Sequence, residues 1–145
     1  MVNLLDFFGN YYFLAFFVAW ITSCFMKSLI TAIREKRMIR FSEGFSNGGM
    51  PSSHSASVAS ITIALLLTTG LSDVFYLALV ISLITITDAF GVRQYIGKQG
   101  ETLNDLLASL KKDPLKVVYG HTFFQVIMGI IWGSFVAVII NFWFF

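Results

Sequence analysis

The run FFQVIMGIIWGSFVAVIINFWF, from Phe123 to Phe144, is apolar almost throughout and is long enough to cross a hydrocarbon core about 30 Å thick. Three more apolar runs precede it. The four predicted spans cover about residues 11–33, 51–69, 74–91 and 122–144. With 57% hydrophobic and 12% charged residues, the composition predicts an integral membrane protein. We expect an all-α four-helix bundle that forms one domain from residue 1 to residue 145.

The connections between the spans predict how the helices are arranged. Gly70 to Asp73 form a tight turn, so the second and third helices are expected to be antiparallel neighbours. Between spans three and four, Leu103, Leu106, Leu107 and Leu110 repeat with helical spacing, which predicts an amphipathic helix at the cytoplasmic interface. Gly129 and Gly133 in the last span permit close helix packing, and packing within the chain is favoured over a homodimer interface.

The positive charges predict the orientation. All 10 Lys and Arg residues lie between Lys27 and Lys116, whereas the opposite side carries Asp6 and Asp73. By the positive-inside rule, the chain is a multi-pass protein of the cell membrane with both longer loops in the cytoplasm and both termini outside. We expect anionic lipid head groups of the bilayer, and not a nucleic acid, as the partners of this basic face.

Polar residues near the predicted cytoplasmic ends indicate a phosphate site. Lys27 and Arg34 are two helical turns apart, so they share one face of the first helix. The segment GGMPSSH, from Gly48 to His54, places two glycines before a helix start. With Pro51 at the first helical position, the free N–H groups there form an anion site to which Ser52 and Ser53 add hydroxyl groups. His54 in the first turn is a candidate for proton transfer or phosphate binding.

Two later segments add to this site. Arg93 is a candidate phosphate ligand, and Asp88 serves either the chemistry or an ion pair, because a carboxylate at that depth is costly without a partner. His121 and Gln125 lie one turn apart at the start of the fourth span, where the amide can hold the imidazole.

The motifs GGMPSSHSA, DAFGVR and GHTFFQV, in this order, resemble the phosphatidic acid phosphatase type 2 and vanadium-dependent haloperoxidase superfamily, in its small divergent membrane branch. The resemblance implies that Lys27, Arg34 and Arg93 hold phosphate oxygens, with backbone amides near Ser53. It also implies that His121 is the nucleophile, which forms a phosphohistidine, and that His54 protonates the leaving alcohol. Gln125 stands where the family has an aspartate, so we expect Asp88 to supply the charge that Gln125 lacks.

These observations together predict a metal-independent phosphatase without a cofactor, acting on a lipid monophosphate or diphosphate near the cytoplasmic face. The sequence does not choose between lipids. One alternative is a non-catalytic lipid-phosphate binder or transporter that uses the same cations. A second is a Mg²⁺-dependent phosphoryl-transfer enzyme, for which the candidate oxygen ligands are Asp88, Glu101, Asn104 and Asp105.

Overall fold

The computed structural model describes residues 8–45 and 48–145, and the regular structure within them is helical. Asp6, which entered the topology prediction, lies outside the described residues. Five α-helices follow one another: α1 (Tyr11–Arg34), α2 (Ser53–Thr69), α3 (Asp73–Phe90), α4 (Val92–Ser109) and α5 (Phe123–Phe144), with a short 3-10 turn at Phe41–Glu43. Helices α1, α2, α3 and α5 are the four apolar runs, and α4 is amphipathic, which confirms the predicted fold class.

Capping residues set several of the helix limits. The side chain of Asn10 accepts a hydrogen bond from the backbone of Tyr12 at 2.9 Å and starts α1. Gly70 ends α2 with a φ of 62°, and Ser72 caps α3 through the backbone N–H of Phe75. The predicted turn between the second and third spans is therefore confirmed.

Helix α2 differs from the other three apolar helices. It has 17 residues, whereas α1, α5 and the stretch Asp73–Ser109, which contains α3 and α4, are each long and apolar enough to cross a membrane. It packs against α1, α3 and α5, and its buried positions are small residues, mainly Ser and Ala. The prediction that Pro51 occupies the first helical position is wrong. The helix begins at Ser53, because Ser52 is the N-cap.

Close packing of α5 on α2 depends on two glycines. A Cβ atom on Gly129 would lie 2.5 Å from the carbonyl oxygen of Ser52, and one on Gly133 would overlap the backbone of Ala56. The predicted packing role of these glycines within the chain is thus confirmed. Large apolar side chains such as Ile84 and Phe135 are exposed on the outside of the helices, as expected for a surface that faces lipid.

The chain between the third and fourth spans is more ordered than the sequence suggested. Helix α4 starts at Val92, directly after Gly91, so no loop separates it from α3. The predicted amphipathic helix is present but begins well before Leu103. After α4 the chain turns back, and residues 115–121, here called the strap, lead without helical structure to the start of α5.

Candidate functional site

The strap holds the backbone of His121 at the junction between α3 and α4. The N–H of His121 donates to the carbonyl of Ala89 at 2.9 Å, and the side chain of Gln94 donates to the carbonyl of His121 at 3.0 Å. Gly120 fits tightly into the same junction, since a Cβ there would lie 2.7 Å from the backbone of Ala89 and of Gln94. His121 itself is buried. Its position is therefore fixed before α5 begins.

The rest of the strap is tied to α4 by side chains that sequence reasoning did not assign to this role. The carboxamide of Asn104 forms two hydrogen bonds with the backbone of Leu115. Its oxygen accepts from the N–H of Leu115 at 2.7 Å, and its nitrogen donates to the carbonyl of Leu115 at 2.9 Å. The hydroxyl of Tyr119 donates to Glu101 at 2.6 Å. A Cβ on Gly97 would lie 2.9 Å from the ring of Tyr119. Gly100 approaches the strap in the same way, since a Cβ there would lie 3.1 Å from Val117. Glycines inside a helix were the available signal of this close approach.

Gln125 links the start of α5 to the imidazole of His121. Its Oε1 accepts from the backbone N–H of Thr122 at 3.0 Å, while Thr122 accepts from the N–H of Gln125, which is a capping box. The same Oε1 lies 3.3 Å from Nδ1 of His121. A backbone N–H can only donate, so the oxygen of the amide is the atom that faces Nδ1. This oxygen can accept from Nδ1 only when Nδ1 is protonated, so it favours the neutral tautomer with the proton on Nδ1 and the lone pair on Nε2.

The second histidine lies at the start of α2, next to the start of α5. The backbone N–H of Ser52 donates to the carbonyl of Gln125 at 3.1 Å, which joins the two helix ends. Ser52 is fully buried, and its hydroxyl interacts with the backbone N–H and the hydroxyl of Ser55. A direct contact of that hydroxyl with phosphate would require the cap to open. His54 follows in the first turn of the helix.

Lys27 connects the two histidines. It is 2% exposed, and its charge acts electrostatically on both His54 and His121. Its methylene groups press against Gly49, where a Cβ would lie 2.9 Å from Cγ of the lysine. Gly49 also has a φ of 81°, which favours glycine. Of the two glycines before the helix start, Gly49 therefore packs against the side chain of Lys27, whereas a Cβ on Gly48 would meet no atom within 4 Å.

Arg93 and Asp88 form an ion pair at the edge of the cluster. Nε of Arg93 lies 2.6 Å from Oδ2 of Asp88, and both side chains are partly exposed. Both charges act on His54. Because this contact uses Nε, the N–H groups of the terminal nitrogens remain as donors that can meet phosphate oxygens. The ion-pair interpretation of Asp88 therefore has direct structural support, and its charge acts on His54 instead of His121.

The pKa of His121 is lowered, chiefly by burial and then by the charge of Lys27, with a smaller contribution from His54. Hydrogen bonds of the ring with Gln125 and with the backbone of Gly49 act in the opposite direction. The net effect keeps the imidazole neutral below the pH at which a free histidine becomes protonated. A neutral ring with its lone pair on Nε2 is the nucleophilic form.

Two predicted phosphate ligands are placed less favourably. Arg34 ends α1 on the exposed surface, two turns beyond Lys27, and within the described ranges its charge is not one of those that act on the two imidazoles. The side chain of Ser53 hydrogen-bonds to Cys24. The structure thus brings together six of the predicted residues, with Arg34 apart from them: Lys27, His54, Asp88, Arg93, His121 and Gln125.

The oxygen ligands considered for Mg²⁺ do not converge. Asp88 bonds Arg93, Glu101 bonds Tyr119 and Asn104 bonds the strap. In the part of the chain that the structure describes, no three His, Cys, Asp or Glu side chains are grouped as a metal site. In this arrangement, these candidate ligands do not share a site at which Mg²⁺ could bind.

Comparison with known proteins places the chain among membrane proteins. A family model described as the Divergent PAP2 family matches residues 8–136. An uncharacterized membrane protein of Bacillus subtilis (strain 168), YuiD, is 31% identical in an alignment of 117 positions that covers 68% of this chain and 74% of YuiD. No solved structure matches. The matched residues include every member of the cluster described above.

Proposed function

Since the chain belongs to the Divergent PAP2 family and is a membrane protein, we propose that it is a phosphatase that hydrolyses a lipid phosphate or diphosphate through a phosphohistidine. The observation that carries this proposal is the orientation of His121. Gln125 fixes the proton on Nδ1, and a lowered pKa keeps the ring neutral. Nε2 is then available to attack phosphorus.

In the first step, Nε2 of His121 forms a bond to phosphorus, and the bond from phosphorus to the oxygen of the leaving group breaks. His54 gives that oxygen its proton, so the lipid leaves as an alcohol, or as a monophosphate when the substrate is a diphosphate. Lys27 and the terminal nitrogens of Arg93 neutralise the charge on the remaining phosphate oxygens. The ion pair with Asp88 holds Arg93 in place.

In the second step, a water molecule attacks phosphorus, and the bond to Nε2 breaks. His54, now neutral, takes the proton of the water, and phosphate is released while His121 returns to its starting form. A cavity of about 480 Å³ is lined by Gly49 and Gln125 and by Gly120 and Thr122, the chain neighbours of His121, and we propose that water approaches from this side. The hydrocarbon part of the substrate stays among the apolar outer faces of the helices.

Substitution of each histidine tests this mechanism. His121→Ala should abolish phosphate release from phosphatidate, phosphatidylglycerophosphate and prenyl phosphates, because no nucleophile remains. His54→Ala should slow turnover and accumulate an acid-labile phosphoenzyme, detected with ³²P-labelled substrate. Vanadate should inhibit the wild type in excess chelator. Normal phosphate release by His121→Ala would contradict the mechanism.

A non-catalytic lipid-phosphate binder or transporter is the second candidate, and the amide of Gln125 is the observation that favours it. An amide fixes the tautomer but gives no charge to an imidazolium. This candidate predicts that lipid phosphates bind the purified protein and are recovered unchanged, with equal affinity for wild type and His121→Gln. Release of inorganic phosphate by the wild type would exclude it.

A further inference from the structure

Helix α4 carries the strap on one face and an uncovered apolar surface on another. Gln94, Gly97, Glu101 and Asn104 recur at steps of three and four residues, so they form the face that holds the strap. A different stripe also has helical spacing and is exposed: Val92, Ile96, Leu103, Leu106 and Leu110. Helix α4 therefore lies between the strap, which carries His121, and the surroundings of the apolar stripe.

The bilayer itself is the occupant that the structure favours. Exposed apolar residues run along α3, including Ile84, and the stripe continues directly after Gly91 with Val92, so the lipid-facing surface of α3 leads into that of α4. Leu106, in the middle of the stripe, is 55% exposed in the isolated chain. An apolar face of this kind is stable in the interfacial layer of a membrane and costly in water.

Charged and aromatic groups at the stripe fit an anionic lipid surface. The ammonium of Lys98 lies 5.8 Å from the ring centre of Tyr95, an arrangement that suits the head-group region, where an aromatic ring and a cation are both favourable. Lys111 and Lys112 are exposed at the end of α4. Cations close to an anionic membrane surface are attracted to it.

We propose that α4 rests on the anionic surface of the bilayer and that this contact positions His121 through the strap. The connection is physical, because the helix that faces lipid is the helix whose Asn104 and Glu101 hold the strap. Lipid contact fixes α4, α4 fixes the strap, and the strap keeps the imidazole buried. The docking stands without the proposed phosphatase activity, whereas its effect on turnover rests on that function.

Neighbouring label positions test the docking. In a Cys24→Ser background, Leu106→Cys and Asp105→Cys carry the same fluorophore on the apolar stripe and beside it. In vesicles of phosphatidylcholine with phosphatidylglycerol, the Leu106 label should be quenched by spin-labelled lipid and the Asp105 label by aqueous iodide. Equal quenching of both labels by iodide would overturn the docking. Shielding of Leu106 that appears only at high protein-to-lipid ratios would show a second copy of the chain instead of lipid.

Two substitutions test the link to His121, with its modification by diethyl pyrocarbonate as a readout that needs no turnover. Leu106→Glu lifts the stripe from the membrane and should make His121 react at least 5-fold faster, with the pH midpoint moved up toward that of free histidine, because burial is lost. Ser109→Glu adds the same charge outside the stripe and should leave both values unchanged. An unchanged His121 in Leu106→Glu, with the helix displaced by the label criterion, would overturn the link.

Asn104→Ala tests the contact between α4 and the strap independently of the docking of α4 on the membrane. It should expose His121 to the reagent as Leu106→Glu does, while a label at position 106 stays in lipid, and Ser109→Ala should change neither. Asn104→Asp keeps the acceptor for the N–H of Leu115 and should restore part of the protection. If wild type releases no phosphate from any lipid, the proposed function fails while these labelling results still stand. If it does release phosphate, turnover should fall with the protection of His121.

Discussion

At the level of single residues, the proposed mechanism depends on the charge state of His121. The neutral form attacks, so the acidic limb of the pH profile reports the pKa of this imidazole. That pKa is lowered by burial and by Lys27, and the activity should therefore persist below about pH 6.5, the ordinary value for histidine. It should be lost as the pH falls through the lowered pKa, where the ring becomes protonated.

Gln125→Glu tests how a carboxylate at this position would act. Glutamate has the same length, so it can keep the bonds to Thr122 and His121, and its charge stabilises the imidazolium. Asp88 is paired with Arg93 and acts on His54, so the added anion meets no competing carboxylate at His121. The acidic limb should move up in pH, and turnover on its plateau should rise roughly 10-fold to 100-fold, from about 1 to 3 kcal/mol of charge-assisted bonding.

Measurement of kcat against pH for wild type, Gln125→Glu and Gln125→Ala decides whether His121 lacks a stabilising charge or already receives one from Asp88. If Asp88 supplied the charge to His121, as the sequence interpretation expects, a new carboxylate at position 125 would place two anions beside one imidazole and lower the activity. A lower plateau in Gln125→Glu would favour that view. Identical profiles for all three proteins would mean that Gln125 does not hold the imidazole.

At the level of helices, the contact between α2 and α5 sets the distance between the two histidines. Gly133→Ala should destabilise the bundle by roughly 1 to 3 kcal/mol, because its methyl group would overlap the backbone of Ala56, which cannot move aside. Ile131→Ala changes a lipid-exposed position on the same helix and should cost less. Reversible unfolding in mixed micelles measures both, and equal stability of Gly133→Ala and wild type would contradict this packing.

The helices themselves were predictable, whereas the approach of the strap to α4 was not. Apolar runs, Gly70 and Ser72 fix the spans through local physical chemistry that a sequence displays directly. The contact of Asn104 with Leu115 depends on how the chain reverses after α4, and no local pattern encodes that. For Arg34, a local pattern likewise did not predict the position in the fold. Helical spacing correctly placed it on the face of Lys27, but α1 continues past the cluster and carries it away.

At the level of the whole molecule, both histidines lie at one end of the bundle, near the ends of helices that carry most of the basic residues. The ring of Tyr11, at the start of α1, packs against Phe144 at the end of α5. The start of α1 and the end of α5 therefore lie together at the other end of the bundle. The orientation of the bundle therefore decides on which side of the membrane the site lies. Positive charge near the cluster predicts the cytoplasmic side.

Cysteines at Arg37 and Lys112, with Asp73 as the control on the opposite side, test this orientation in a Cys24→Ser background. Asp73 and Lys112 are exposed, and Arg37 is partly exposed, so the reagent can reach all three positions from the side of the membrane on which they lie. In intact cells, an impermeant maleimide should label Asp73→Cys and leave Arg37→Cys and Lys112→Cys unlabelled, because moving the basic loops across the bilayer is unfavourable. Permeabilised cells should give equal labelling at all three positions. The reverse pattern in intact cells would invert the topology and place the cluster of histidines and cations outside, where the phosphate ester would have to be supplied from the outer leaflet.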